Sequence, residues 1–250
     1  MDNKQEKKAT LCCKDTVHDL DSSMDTWELL YCKVYKDKFS SLFDFNNIKD
    51  TETPDKCKRY YIKINKEEQT EFRKEYPKFK IAGDCDFNFN DKKVDLFKKF
   101  LLEEDMPLLM ECHNNHHELW NFSFMPISGA MNNKKGSLKC IAEKSQDSVP
   151  YDRPDVLIFE IDNFYKKLPT RIFSKYNKDA LEWYLSNFSD VYDYCKEIYF
   201  IDDKTFVDKL IESGQQPIDS RDRVLKYMEL ANEFWNIKKN KLKEHSVIEY

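Results

Sequence analysis

Three histidines lie within five residues near the middle of this 250-residue chain, at His113, His116 and His117. A neutral imidazole can ligate a divalent metal ion or accept a proton near neutral pH. Phosphodiester cleavage with one metal ion needs a base that deprotonates water, a cation that stabilises the leaving oxygen, and a rigid turn that holds both. The stretch Pro107–Lys139 also contributes asparagines and glycines, so it contains residue types for all three tasks.

The second half of this stretch resembles the HNH (ββα-metal) nuclease motif. The resemblance rests on Asn121, ten intervening residues, and then Asn132-x-x-Lys135-Gly136. In that family a central asparagine fixes the loop between two strands, and an asparagine or histidine that opens the following helix ligates the metal. The resemblance implies an HNH-like segment at 107–140, with Asn121 fixing the loop, Asn132 as a metal ligand, and a bound divalent ion such as Mg²⁺, Mn²⁺ or Zn²⁺.

The same resemblance implies roles for the histidines and for one lysine. His117 is the expected general base and His116 the expected second metal ligand, while His113 is the rival base and Lys135 steadies the phosphate. The spacing departs from the family, because His113 precedes Asn121 by eight residues and His117 by only four. A β-hairpin does not fit between His117 and Asn121, since even a two-residue turn needs flanking strands.

A second resemblance covers more of the chain. Trp120-Asn121-Phe122, Met125-Pro126, Asn132 and Lys135-Gly136, followed by aromatic helices, are similar to the shared core of a group of uncharacterised bacterial proteins. Proteins of this kind include phage-resistance (abortive infection) proteins, which implies a role in antiphage defence. This resemblance predicts fold neighbours rather than an activity.

The candidate site residues also have structural alternatives. The histidines can be solvated or hydrogen-bonded members of a polar loop. Alternatively, His113 and His116 can hold a structural zinc ion together with Cys112 or Cys140. Asparagine tolerates left-handed backbone conformations and bonds its own backbone, so Asn121 and Asn132 can be turn residues.

The composition limits the classes of function. The chain carries 41 Lys and Arg against 46 Asp and Glu, for a net charge of −5. This balance excludes a polycationic nucleic-acid coat protein and an acidic disordered protein, so any phosphate-binding surface must be local. P-loop, dinucleotide-binding, serine-hydrolase and zincin motifs are absent from the sequence, so nucleotide hydrolysis, dinucleotide redox chemistry and serine hydrolysis have no support.

The sequence predicts a cytoplasmic protein. It has no run of about 18 apolar residues, and its first ten residues are polar, so neither a membrane span nor a secretory signal is expected. The eight cysteines contain no C-x-x-C pair and are expected to be reduced and mostly buried. Only four glycines occur, and Lys, Asn, Ile, Phe and Tyr are common, which is typical of an AT-rich bacterial or phage genome.

The elements that must position the site follow from hydrophobic periodicity. Residues 1–23 show no clear period and are expected to be partly disordered, whereas residues 24–245 are expected to form a single α+β domain. This domain is predicted to be mainly helical, with a small antiparallel sheet in its first half and a helical second half at 153–240. Strands are expected at Tyr60–Ile64, within Phe79–Asn90, and at Trp120–Phe124, where alternation predicts one buried face.

Helices are expected where apolar residues recur at three and four positions. They are predicted at Met24–Phe45 (as one helix or a pair of helices), Lys66–Tyr76, Val94–Glu104, Asp155–Leu168 and Asn177–Phe200, and after a cap at Asp219 or Ser220. The stretch Pro107–Lys139 shows no helix pattern.

Two hypotheses of function follow from the sequence. The first is a metal-dependent, nuclease-like protein that cleaves phosphodiesters of DNA or RNA, as an HNH-like endonuclease or ribonuclease. The second is a non-enzymatic protein-binding module, such as an immunity, sensor or inhibitor partner, that uses the aromatic residues of the helical half. Those aromatic residues are Trp183, Tyr184, Tyr192, Tyr194 and Trp235. The choice between DNA and RNA, the metal and the oligomeric state stay open.

Overall fold

The computed structural model describes residues 27–52, 58–63, 80–126, 153–171 and 178–245. Wide, π-type turns at Trp27–Tyr35 continue as the short helix α1 (Lys36–Phe39). The strands are β1 (Lys49–Glu52), β2 (Lys58–Lys63), β3 (Lys80–Cys85) and β4 (Phe122–Pro126). The later helices are α2 (Asp91–Phe97), α3 (Met106–Asn115), α4 (Pro154–Tyr165), α5 (Lys178–Leu185), α6 (Val191–Tyr199), α7 (Lys204–Gly214) and α8 (Arg221–Glu244). Single 3₁₀ turns precede α3 and β4, at Glu103–Asp105 and Leu119–Asn121.

The four strands form one antiparallel sheet in the order β1-β2-β3-β4. The predicted α+β class is confirmed, because the described residues are mainly helical and the small sheet lies at 49–126. β3 and β4 pair from Ile81 opposite Pro126 to Cys85 opposite Phe122. The connection between these two neighbouring strands therefore spans residues 86–121 and carries all three clustered histidines.

Strand β4 is buried on both faces, although its sequence predicts only one buried face. Phe124 packs against an aromatic group contributed by the N-terminal segment: Tyr31, Tyr35, Phe39, Phe43 and Phe45. Ser123 points to the opposite face and is also fully buried, because helix α8 covers it and Lys238 binds its hydroxyl. Trp120 lies before the strand, in the 3₁₀ turn, and is half-buried.

Gly83 in β3 permits a close approach that any other residue would block. The Tyr31 side chain crosses the strand at this point, and a Cβ on residue 83 would overlap its hydroxyl and ring. Tyr31 is itself fully buried, so it has little room to move aside.

The prediction of no helix within Pro107–Lys139 is wrong for its first part, which forms α3. Pro107 occupies the first turn, where its missing N–H has no intrahelical partner to lose. Leu109 and Cys112 in this helix and the C-cap residue His116 recur at three and four positions and are buried, so the segment is an amphipathic helix whose buried face continues into a histidine at its end. The predicted helix Val94–Glu104 is wrong at both ends. The helix starts at Asp91, because the side chain of Asn90 accepts a hydrogen bond from the N–H of Lys93, and it ends at Phe97.

The described part of the second half contains helices α4 to α8, and their boundaries differ from the predicted ones. α4 lies within the predicted Asp155–Leu168 segment apart from its first residue. The predicted Asn177–Phe200 helix is divided into α5 and α6, because Asp190 caps a new helix by accepting from the N–H of Asp193. Helix α7 was not predicted. Ser220 precedes α8 as expected, although its side chain makes no capping hydrogen bond.

Three expectations lie outside the described residues: the partly disordered 1–23, the helix Lys66–Tyr76, and the second half of the HNH-like segment. No helix in the described part of the chain is both long and apolar enough to cross a membrane. The structure describes four of the eight cysteines. Cys112 and Cys195 are buried and Cys32 and Cys85 half-buried, as expected for reduced cysteines acting as small apolar residues.

Candidate functional site

Asn121 fixes the long connection between β3 and β4. Its side chain is fully buried. Its Oδ1 accepts from the backbone N–H of Phe87 at 2.9 Å and from the indole N–H of Trp235 at 2.6 Å. Its Nδ2 donates to the carbonyls of Phe87 and His116, each at 2.8 Å. Two donors and two acceptor positions are all that a carboxamide offers, so the group is fully used. These are the contacts of a residue that holds a loop in place.

His116 lies beneath the surface of the same loop. It is 6% exposed, and its Nδ1 lies 3.2 Å from the carbonyl of Phe87 and 3.3 Å from the backbone nitrogen of Phe89. Its ring also packs on that of His117, with the ring centroids 4.3 Å apart. The predicted role of His116 as a metal ligand stays a prediction, because its implied partner Asn132 lies outside the described residues.

His113 occupies the last turn of α3 and keeps partial access to solvent. Its Nδ1 lies 2.8 Å from the carbonyl oxygen of Phe89. Since a carbonyl only accepts, Nδ1 carries the proton, and the neutral ring therefore has its lone pair on Nε2. That Nε2 lies 3.7 Å from Oδ1 of Asp91, the first residue of α2, and 27% of the His113 side chain is exposed.

His117 and Trp120 form the outer part of the loop. His117 follows α3 and is half-buried. The indole N–H of Trp120 donates to Oδ1 of Asn115 at 3.2 Å. The ammonium of Lys239, on α8, lies 4.5 Å from the Trp120 ring centroid, which is a cation–π contact. An aromatic face and a cation therefore adjoin the loop that carries the histidines.

The polar residues predicted for the site thus converge on a backbone segment, Phe87–Phe89, rather than on one point. His113, His116 and Asn121 each hydrogen-bond to it. The rings of Phe87 and Phe89 enter the aromatic core against α8, in contact with Tyr227, Phe234 and Trp235. Within 27–52, 58–63, 80–126, 153–171 and 178–245, no three His, Cys, Asp or Glu side chains cluster to hold a metal.

The remaining predicted site residues are placed only in part. Asn132, Lys135, Gly136 and Cys140 lie outside the described residues. Cys140 is one of the proposed ligands of a structural zinc ion, so the structure does not test that ligand. Cys112, its other proposed thiol, is buried against α8, with Sγ 3.8 Å from the carbonyl of Met228. Burial raises the pKa of this thiol, which favours the protonated form over a metal-binding thiolate.

A buried ion pair lies beneath the loop, and it was not predicted from the sequence. Lys238 on α8 is fully buried and donates to Oδ2 of Asp86 at 2.6 Å, to Oγ of Ser123 at 2.6 Å and to the carbonyl of Phe122 at 2.7 Å. The Ser123 hydroxyl donates to the same carboxylate oxygen at 2.8 Å. A lysine within the apolar stripe of α8, four positions after Phe234, was the available signal. Its partner, 152 residues away, was not visible in the sequence.

The aromatic residues of the second half are mainly core residues. Tyr184, Tyr194 and Trp235 are buried, whereas Trp183 and Tyr192 are half-buried. No protein-family model, no curated protein and no solved structure matches this chain.

Proposed function

We propose that this protein is a metal-dependent, nuclease-like hydrolase that cleaves phosphodiester bonds of DNA or RNA. The observation that carries the proposal is the environment of Asn121, which holds a histidine-bearing loop between two antiparallel strands through four hydrogen bonds. The HNH resemblance implies this role for Asn121. A fixed loop of this kind supplies the rigid support that a base and a cation need for hydrolysis.

The base must reach a water molecule, and this requirement selects among the histidines. His116 is buried, whereas His113 and His117 keep partial exposure. The hydrogen bond from Nδ1 of His113 to the carbonyl of Phe89 leaves a basic nitrogen on the outer side of that ring. We therefore assign proton transfer to His117 or His113, and phosphate and metal contacts to Lys135 and Asn132.

A local surface for the nucleic acid adjoins the loop. Trp120 offers an aromatic face and Lys239 a cation 4.5 Å from it. Stacking of a base on an aromatic ring together with contact of a lysine to phosphate is the usual mode of single-strand binding. This pair supplies local positive charge in a chain whose net charge is −5.

The test is cleavage of supercoiled plasmid and of total RNA with Mg²⁺ or Mn²⁺ by the full chain and by three variants, His113→Ala, His117→Ala and Asn132→Ala. Loss of a general base lowers the rate by about 100-fold or more. His245→Ala removes an exposed histidine at the end of α8 and serves as the matched control. Activity that persists unchanged in all three variants would refute the assigned roles.

A second candidate function is binding of a protein partner, and one surface feature favours it. A pocket with a volume of about 790 Å³ forms a concave surface between the end of α4 and α5. Its lining includes Phe164, Tyr165, Leu168 and Pro169. Leu168 is 51% exposed there. An exposed apolar side chain in a concave apolar surface is typical of a site that accepts a side chain of a partner.

The matched comparison for this candidate is Leu168→Ser against Leu102→Ser, because Leu102 is 53% exposed on a different part of the molecule. Partner binding at the α4–α5 surface predicts that a co-purifying protein is lost with Leu168→Ser and kept with Leu102→Ser. Equal retention in both variants contradicts it.

A further inference from the structure

We infer that His113 and Asp91 form a binding site for a divalent transition-metal cation, between Nε2 of the imidazole and Oδ1 of the carboxylate. The use of this cation in cleavage rests on the proposed function, whereas its binding does not. The pair lies where the end of α3 meets the start of α2, and both side chains reach solvent.

The hydrogen bonding of His113 fixes the chemistry of the pair. Because Nδ1–H donates to the carbonyl of Phe89 at 2.8 Å, Nε2 of the neutral ring is an electron-pair donor. Asp91 Oδ1 is also an electron-pair donor, and the two atoms lie 3.7 Å apart. This separation exceeds the length of an N–H···O hydrogen bond, which is about 2.7–3.2 Å. One cation placed between two electron-pair donors that face each other in this way can coordinate both of them.

The distance suits a shared metal ion. Bonds of about 2.0–2.2 Å from a metal to nitrogen and oxygen, at angles of about 110–120°, place the two ligand atoms about 3.3–3.8 Å apart. The observed 3.7 Å falls within that range. Asp91 is 93% exposed, so its carboxylate can adjust to the ion without disturbing the core.

The surroundings of His113 favour a metal ligand. Ligating histidines almost always donate their second ring N–H to a carbonyl or carboxylate, which orients the ring and raises its basicity. His113 makes this bond to Phe89, whose backbone nitrogen also lies 3.3 Å from Nδ1 of His116. His113 also lies in the last turn of α3, where the unpaired carbonyls of the helix end stabilise positive charge.

One imidazole and one carboxylate leave the remaining coordination positions to water or substrate. Structural zinc sites are closed by four protein ligands, whereas coordination positions left open to water or substrate are a feature of catalytic centres. A phosphate oxygen could then complete the coordination. With His113 on the metal, His117 becomes the general base, which resolves the choice between the two histidines.

The test is a titration of the full chain with Mn²⁺, followed by electron paramagnetic resonance of the free ion. The wild type is expected to bind Mn²⁺ at one site, from which added Zn²⁺ displaces the Mn²⁺. Asp91→Asn and His113→Gln are each expected to weaken binding by about tenfold or more. Asp95→Asn, one turn later on α2 and exposed, and His245→Gln are the matched controls and should leave binding unchanged.

Two results would overturn the inference. One is the absence of Mn²⁺ and Zn²⁺ binding in the wild type, which means that the two side chains hold no cation between them. The other is binding that Asp91→Asn leaves intact, since this exposed substitution does not disturb the fold. Binding by the wild type without cleavage of nucleic acid would contradict the proposed function and leave the cation site standing. Cleavage that survives the loss of binding in Asp91→Asn would contradict a role for this ion in the reaction.

Discussion

The indole N–H of Trp235 donates to Oδ1 of Asn121 across 2.6 Å, and this bond ties helix α8 to the loop between β3 and β4. The two residues lie 114 positions apart in the sequence and are both buried. The loop that carries the histidines is therefore held by the longest described helix as well as by its own backbone.

Replacement of Asn121 by alanine should destabilise the protein by about 3–5 kcal/mol, because several buried backbone and indole groups lose their partner at once. The midpoint of urea unfolding measures this loss. Asn114→Ala, an exposed substitution at the end of α3, is the control and should change stability by less than about 0.5 kcal/mol. Similar stabilities for the two variants would show that Asn121 is an ordinary turn residue.

The buried pair of Lys238 and Asp86 predicts strong non-additivity. Lys238→Met leaves the Asp86 carboxylate buried without its cation and should cost about 3–5 kcal/mol. Adding Asp86→Leu removes that stranded charge, so the double variant should recover part of the loss. A double-mutant cycle from chemical denaturation measures the coupling. Simple addition of the two single effects would contradict the direct contact at 2.6 Å.

Lys167 adopts a backbone conformation that favours glycine, with φ at 57°. It follows α4 in a Schellman motif, in which the N–H of Leu168 donates to the carbonyl of Asn163 and the N–H of Lys167 to that of Phe164. Lys167→Gly should therefore raise the free energy of unfolding by about 0.5–1 kcal/mol, since the Cβ strain is removed. Lys166 has a right-handed helical backbone conformation, so Lys166→Gly should lower the free energy of unfolding. Thermal melting of the two variants tests the opposite signs.

The contact between Arg221 and Asp105 predicts a loss of stability in acid. The Arg221 guanidinium, with help from the backbone N–H of Leu102, lowers the pKa of Asp105. A lowered folded-state pKa stabilises the fold above the unfolded value of about 3.9 and loses that contribution as the pH falls through the folded value. Asp105→Asn should therefore weaken the dependence of the urea midpoint on pH below about pH 4. An unchanged acid dependence would contradict this, and Asp95→Asn is the exposed control.

Local features of the fold were predictable from the sequence, and contacts between distant segments were not. The β-branched and aromatic run at Tyr60 and the apolar period of α4 specify their elements within a few residues, since each is decided by neighbours in the chain. Helix α3 was missed because its histidines and asparagines resemble a polar loop, yet burial of Leu109, Cys112 and His116 against neighbouring elements stabilises it.

The candidate site was predictable in its location and only partly in its geometry. The cluster of His113, His116 and His117 was visible as residue types, and the loop-fixing role of Asn121 followed from a resemblance. The position of Asp91 beside His113 was not predictable from the sequence, because it depends on how α2 and α3 meet at the segment Phe87–Phe89. The packing of two helices is a tertiary property that a single sequence does not specify.

The most direct test of metal-dependent hydrolysis is the rate of plasmid and RNA cleavage by the full chain as a function of Mn²⁺ concentration. The proposal predicts cleavage that begins with Mn²⁺, stops with EDTA, and reaches half its maximum at the concentration that half-fills the site between His113 and Asp91. Absence of cleavage of either nucleic acid at every Mn²⁺ concentration, or a rate that EDTA does not change, would contradict it.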